Sequence, residues 1–104
     1  MSITVTPTNF TLGKVEINQS TNSFFTVSTP NNVTGVSISA NDSHITLREG
    51  QTGAFSSSIS MDLDNEEKDV NVACLPTSAT LTTGSITVTY NSSTVATVSY
   101  TFTV

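Results

Sequence analysis

The chain has 104 residues, enough for one domain around one hydrophobic core, and it contains no apolar run near 18 residues that could cross a membrane as a helix. Only 11% of the residues are charged, well under the roughly 25% of ordinary soluble domains, and a net charge of −5 arises from three basic and eight acidic side chains. Lys14, Arg48 and Lys68 are scattered, so no positive stripe forms, and neither nucleic-acid binding nor membrane insertion or docking to an anionic membrane is expected.

Period-two alternation and β-branched residues dominate the chain, with 36 Ser or Thr and nine Asn supplying most of the polar positions. Ile3 and Val5 make a first short strand, which Pro7 ends because proline cannot donate to a ladder. Gly13 bends the chain into KVEIN, an edge-like strand with Val15 and Ile17 on one face. SFFTVST is the next strand, stopped by Pro30 and the Asn31–Asn32 turn signal. Phe24 and Phe25 point to opposite faces there, so one of them is expected either exposed or covered by a neighbouring element, and an exposed Phe would mark a protein contact.

GVSISA sets Val36, Ile38 and Ala40 on one face, and HITLRE puts Ile45 and Leu47 in phase. Two glycines in GQTG reverse the chain at 50–53. AFSSSISMDLD then aligns Phe55, Ile59, Met61 and Leu63 against Ser56, Ser58, Ser60 and Asp62. DNEEK at 64–68 reads as a charged turn, followed by DVNVACL with Val70, Val72 and Cys74 in phase up to Pro76. GSITVTY aligns Ile86, Val88 and Tyr90. NSS at 91–93 turns the chain into TVATVSYTFTV, where Val98, Tyr100, Phe102 and Val104 share a face. Eight or nine short strands at roughly 8–12-residue spacing are the pattern of a sandwich or barrel, and the expectation is an all-β, antiparallel β-sandwich in a single domain over 1–104.

Little in this pattern points to catalysis. Asp42, Ser43 and His44 invite a triad reading, but adjacent strand residues face opposite ways, so Ser43 cannot reach His44. His44 is expected as a polar strand-edge residue, and no catalytic residue and no cofactor is assigned. Cys74 is the one cysteine, which forbids an intramolecular disulfide, and its apolar surroundings make it a buried small hydrophobe. The acidic stretch DLDNEEKD offers Asp62, Asp64 and Glu66 as weak metal candidates. An EF-hand loop needs Gly at its sixth position, where Glu67 stands, so the stretch reads as a solvated turn that discourages edge-to-edge association. Tyr90 and Tyr100 are in phase with core-facing aliphatics and read as core-rim residues. With no Trp and no aromatic platform, glycan binding could rest only on polar loops. Five Asn-x-Ser/Thr triplets, at Asn9, Asn18, Asn32, Asn41 and Asn91, read as turn and surface chemistry.

Ile3, Val5, Pro7, Phe10, Leu12, Gly13, Val15, Ser20, Phe25 and Val27 form a pattern that continues through Asn32, Thr34, Gly35, Val36 and Ile38. VNVACLPTSA and GSITV carry it on in the second half. The pattern resembles the immunoglobulin-like repeats of Bacteroidetes-type surface proteins, and also suits the immunoglobulin-like domains of phage structural proteins. Positions 43–69 match it poorly, and the Trp and Cys pair of antibody-type domains are missing. The resemblance implies an immunoglobulin-like fold and a non-catalytic spacer or adhesive module.

Met1 stands one residue before the first strand-forming stretch, and the opening MSITVTPTNF has neither a basic n-region nor an apolar h-region. The expectation is therefore an intact small gene product, a decoration protein on a phage capsid or tail, located on the virion surface. The alternative is a repeat of a bacterial secreted or cell-surface protein, flanked by neighbouring repeats, with weak glycan binding. In either case the partner is a protein. The terminal segment, Tyr100, Thr101, Phe102, Thr103 and Val104, is the expected contact, because it ends the chain with nothing covering its edge.

Overall fold

The computed structural model describes residues 3–29, 32–51, 53–64 and 67–104, and of Asp64 its backbone. In chain order its strands are β1 (Thr4–Thr6), β2 (Asn9–Lys14), β3 (Thr21–Ser28), β4 (Asn32–Ala40), β5 (Ile45–Glu49), β6 (Ser58–Asp64), β7 (Glu67–Cys74), β8 (Thr83–Tyr90) and β9 (Ser93–Thr103). They form a four-stranded sheet, β1-β3-β7-β5, and a five-stranded sheet, β2-β9-β8-β4-β6. The molecule is an all-β sandwich.

The core follows from alternation. Phe25 and Val27 of β3, Ile45 and Leu47 of β5, and Val70, Val72 and Cys74 of β7 are buried on one inner face. Val36 and Ile38 of β4, Leu63 of β6, Ile86 and Val88 of β8, and Val98 and Tyr100 of β9 meet them from the other. Burying each such aliphatic or aromatic side chain contributes about 1.5–3 kcal/mol. The outer positions carry mostly Ser, Thr and Asn. Ser39, Thr87 and Thr97, for example, lie side by side across β4, β8 and β9.

The sandwich is not antiparallel throughout. β2 runs parallel to β9, with Phe10 opposite Tyr100 and Thr11 opposite Thr101. The chain leaves the first sheet at Pro7–Thr8 and joins the second without reversing, so it meets the last strand pointing the same way. The second strand also lies earlier than KVEIN. Gly13, at φ 71, makes a bulge inside β2 and does not separate two segments, and the ladder with β9 reaches Lys14. Val15 is buried as expected, whereas Ile17 is 42% exposed beside a turn at Asn18 (φ 62).

Two further devices shape the sheets. Gly35, at φ 74, bulges β4 opposite β6, and its N–H donates to Asp62 Oδ1 at 3.1 Å. Asn91 and Ser92 both have positive φ (56 and 64) between paired Tyr90 and Ser93, the arrangement of a two-residue hairpin turn matched to strand twist. The expected turn at Pro30–Asn31 lies outside the described residues. So do Asn65 and Glu66 of the expected charged turn, and Glu67 and Lys68 already belong to β7.

Positions 43–69 take an unusual path. β5 leaves β4's sheet for the other one, and β6 returns. Gly50 (φ 65) and Gly53 (φ 92) reverse the chain between them. Ser56 then exchanges two backbone bonds of 2.7 Å with Leu47, and Ser57 accepts from the Ala40 N–H at 2.8 Å. This crossover closes one side of the sandwich. It delays the expected strand to Ser58 and leaves Phe55 half-buried, with its ring centroid 4.6 Å from the Arg48 guanidinium.

Candidate functional site

The Asn41–Asp42 turn is clamped onto the start of β8. Asn41 Nδ2 reaches Ser85 Oγ and Thr87 Oγ1, each at 2.9 Å, and Asp42 Oδ2 accepts the Ser85 N–H at 2.9 Å. That clamp turns His44 inward, where it is 8% exposed, a core residue and not the strand-edge residue expected. Its Nε2 lies 3.4 Å from Tyr100 Oη, and its ring packs edge-on against Tyr100 and Phe102, with centroids 6.3 and 5.8 Å away. Tyr100 is 1% exposed, at the centre of the core and not on its rim, while Tyr90 is half-buried. Burial first, then the Asp42 carboxylate and Cys74, push the Tyr100 phenol far above its ordinary value. It therefore stays protonated beside the His44 ring nitrogen. Ser43 is exposed and Asp42 is committed to a backbone N–H, so the three residues do not converge on a nucleophile. Cys74 is buried, which raises its thiol pKa, opposite to what a reactive thiolate needs.

Of the metal candidates, Asp62 is engaged with the β4 bulge, while Glu66 and the Asp64 side chain lie outside the described residues. No group of three or more His, Cys, Asp or Glu suited to a metal ion occurs among the described residues. Lys68 Nζ lies 3.4 Å from Glu49 Oε2, joining the two strands at that end of the sheet.

The terminal segment is not the open edge expected. Across Ser99, Tyr100 and Thr101 the last strand is paired on both sides, by β8 and by β2, because the parallel arrival of β2 covers its second edge. Tyr100 and Phe102 face inward and Val104 is half-buried. Thr101 and Thr103 are exposed, so a partner touching this segment would meet hydroxyls on the sheet face and not free backbone. Thr101 also lines a shallow concavity with Asn9, Phe10, Thr11 and Ser99, none of them charged. On the opposite sheet, Phe24 is 56% exposed while its neighbour Phe25 is fully buried. The Phe24 ring stands in one cross-strand row with Asn71 and Arg48.

Sequence reasoning did not find Asn9, Thr11 and Ser99. Each is an ordinary polar strand position, and only the pairing of strands about 90 residues apart assembles them.

No family model matches the chain, and no curated protein matches it. Among solved structures, the chain is similar to a family 123 glycoside hydrolase from Clostridium perfringens that acts on glycolipid glycans, with a TM-score of 0.61 and 18% sequence identity. The likeness covers 92% of this chain and 22% of that enzyme, and at this identity it concerns the fold alone.

Proposed function

We propose that this chain is a non-enzymatic, immunoglobulin-like module that attaches to a larger assembly through protein–protein contacts, as a decoration component of a phage capsid or tail on the virion surface. The observation that carries the non-enzymatic part is the engagement of the ionisable candidates in structural roles. Asp42 holds β8, Asp62 holds the β4 bulge, Lys68 meets Glu49, and His44 is sealed against Tyr100. Support for the immunoglobulin-like assignment comes from strand order. β1-β3-β7-β5 facing β9-β8-β4 parallels the ABED and GFC sheets of that fold, although the crossovers at 50–57 depart from it. The hydroxyl-rich outer faces favour adhesion by contact over long-range electrostatic capture.

A second reading is a module of a bacterial secreted or cell-surface protein, placed extracellularly, with weak glycan binding. It is favoured by the similarity to a segment that makes up 22% of a longer bacterial enzyme. The test is mass spectrometry of density-purified particles from the source of the gene. A fixed ratio of this chain to the major capsid or tail protein is expected. Recovery only in the secreted or cell-envelope fraction, within a longer polypeptide, would replace the first reading by the second.

A further inference from the structure

We infer that Phe24 and Arg48, on the outer face of the four-stranded sheet, are the two ends of a shallow subsite for a saccharide that carries one carboxylate, a uronate-type sugar. This gives a place and a ligand class to the glycan binding of the second reading, and it rests on that binding alone and not on where the chain is located. Phe24, Asn71 and Arg48 lie side by side across β3, β7 and β5. Arg48 supplies the first observation. Its guanidinium carbon sits 4.6 Å from the Phe55 ring centroid, and Nη1 reaches only the Gly53 carbonyl, at 3.5 Å. Nε is buried with no hydrogen-bond partner, and no carboxylate among the described residues pairs with this side chain. The chain thus leaves a half-buried cation oriented by a ring and short of acceptors, which is costly. A carboxylate is the acceptor that matches a guanidinium in both charge and shape.

Phe24 supplies the second. Its ring is 56% exposed, with Asn22 and Thr26 beside it along β3 and Asn71 across from it, so it is set among amides and a hydroxyl. A protein partner would call for a broader apolar patch around the ring. A pyranose brings an apolar face for the ring and hydroxyls at its rim for the amides. Asn71 donates Nδ2 to the Gly50 carbonyl, which leaves Oδ1 as an acceptor for a ligand hydroxyl. Phe24 and Arg48 stand two strand spacings apart, about 9–10 Å, which a disaccharide spans. Charge limits the carboxylates to one. Glu67 and Asp69 are exposed farther along the same face of β7 and would repel a polyanion.

The test is chemical-shift mapping of the whole chain with three probes at millimolar concentration. They are a disaccharide of N-acetylglucosamine and glucuronate, the same disaccharide with glucose in place of glucuronate, and a capped peptide with one Glu between two Val residues. Signals of Phe24, Asn71 and Arg48 should shift. The acidic disaccharide should bind at least about fivefold more tightly than the neutral one and lose that advantage in added salt. Phe24→Ala should leave the melting temperature unchanged and abolish binding of both sugars. Arg48→Gln should lower the acidic sugar to the affinity of the neutral one. Arg48→Lys, which keeps the charge and the stem, should still weaken the acidic sugar several-fold. No shifts, shifts elsewhere, equal affinity for the two sugars, retained binding in Phe24→Ala, or a peptide that binds as tightly as the acidic sugar would each overturn the inference. Binding at Phe24 by a chain recovered only from particles overturns the second reading's location and leaves this site standing. A secreted chain with no shift at Phe24 overturns the site alone.

Discussion

Gly84 lies directly opposite Tyr100 across β8 and β9, and the phenol ring covers the space that a β-carbon at position 84 would occupy. The glycine has an ordinary backbone conformation, so the ring overhead, not φ, selects it. The ring gains a flat seat between Gly84, Phe10 and Phe102, with the two aromatic centroids at 5.8 and 6.1 Å.

Gly84→Ala should therefore destabilise the fold by about 1–3 kcal/mol through overpacking. Urea unfolding measures this. In a Tyr100→Leu background the same substitution should cost much less, and simple additivity of the two changes would show that the ring does not impose the glycine.

Tyr100 also predicts an alkaline limb. Its folded-state pKa is raised from an ordinary 10.0, mainly by burial. Below that value the phenol is protonated in both states and its contribution is complete. As pH rises past it, the unfolded chain releases the proton and the folded chain does not, so stability falls by up to about 1.4 kcal/mol per pH unit. Cys74, raised by burial from 9.0, acts with the same sign and starts earlier. Unfolding free energies between pH 8 and about 11 should show this fall. Tyr100→Phe should flatten the part above about 10, and an unchanged slope would exclude the phenol as its source.

Phe24 and Phe25 are adjacent and chemically identical, yet one is 56% exposed and the other is fully buried. Phe25→Ala should cost about 3–5 kcal/mol, by lost transfer energy and a residual cavity. Phe24→Ala should stay within about 0.5 kcal/mol. Thermal and urea unfolding of the two variants compare them directly, and similar losses would mean that the sheet register is wrong.

Asp62 serves the β4 bulge. Asp62→Ala removes the acceptor for the Gly35 N–H and should cost about 0.5–1.5 kcal/mol, while Asp62→Asn should be near neutral. Because one carboxylate oxygen is already occupied, millimolar calcium should leave the melting temperature unchanged. A rise of several degrees would reveal a cation site in the acidic stretch.

Much of the architecture was legible before any pairing was known. A strand repeats every two residues, so Val36 and Ile38, Val70 and Val72, and Val98, Tyr100 and Phe102 had to face inward together, and each set does. Turn chemistry is equally local. Asn91 and Ser92, and Gly50 and Gly53, take positive φ where turns were expected. Gly13 and Gly35 take it too, but there it makes bulges that single-strand patterns do not distinguish from strand ends.

What alternation cannot carry is which strand lies beside which. The parallel meeting of β2 with β9 closed the edge expected to be open, and the exchange of β5 and β6 between sheets put β6 beside β4. The inward turn of His44 onto Tyr100, and the small residue beneath that ring at Gly84, have the same origin. Period two encodes a face and not a neighbour. Neighbours are chosen when hydrophobic burial and backbone pairing are satisfied over the whole chain at once, and that choice belongs to the tertiary structure.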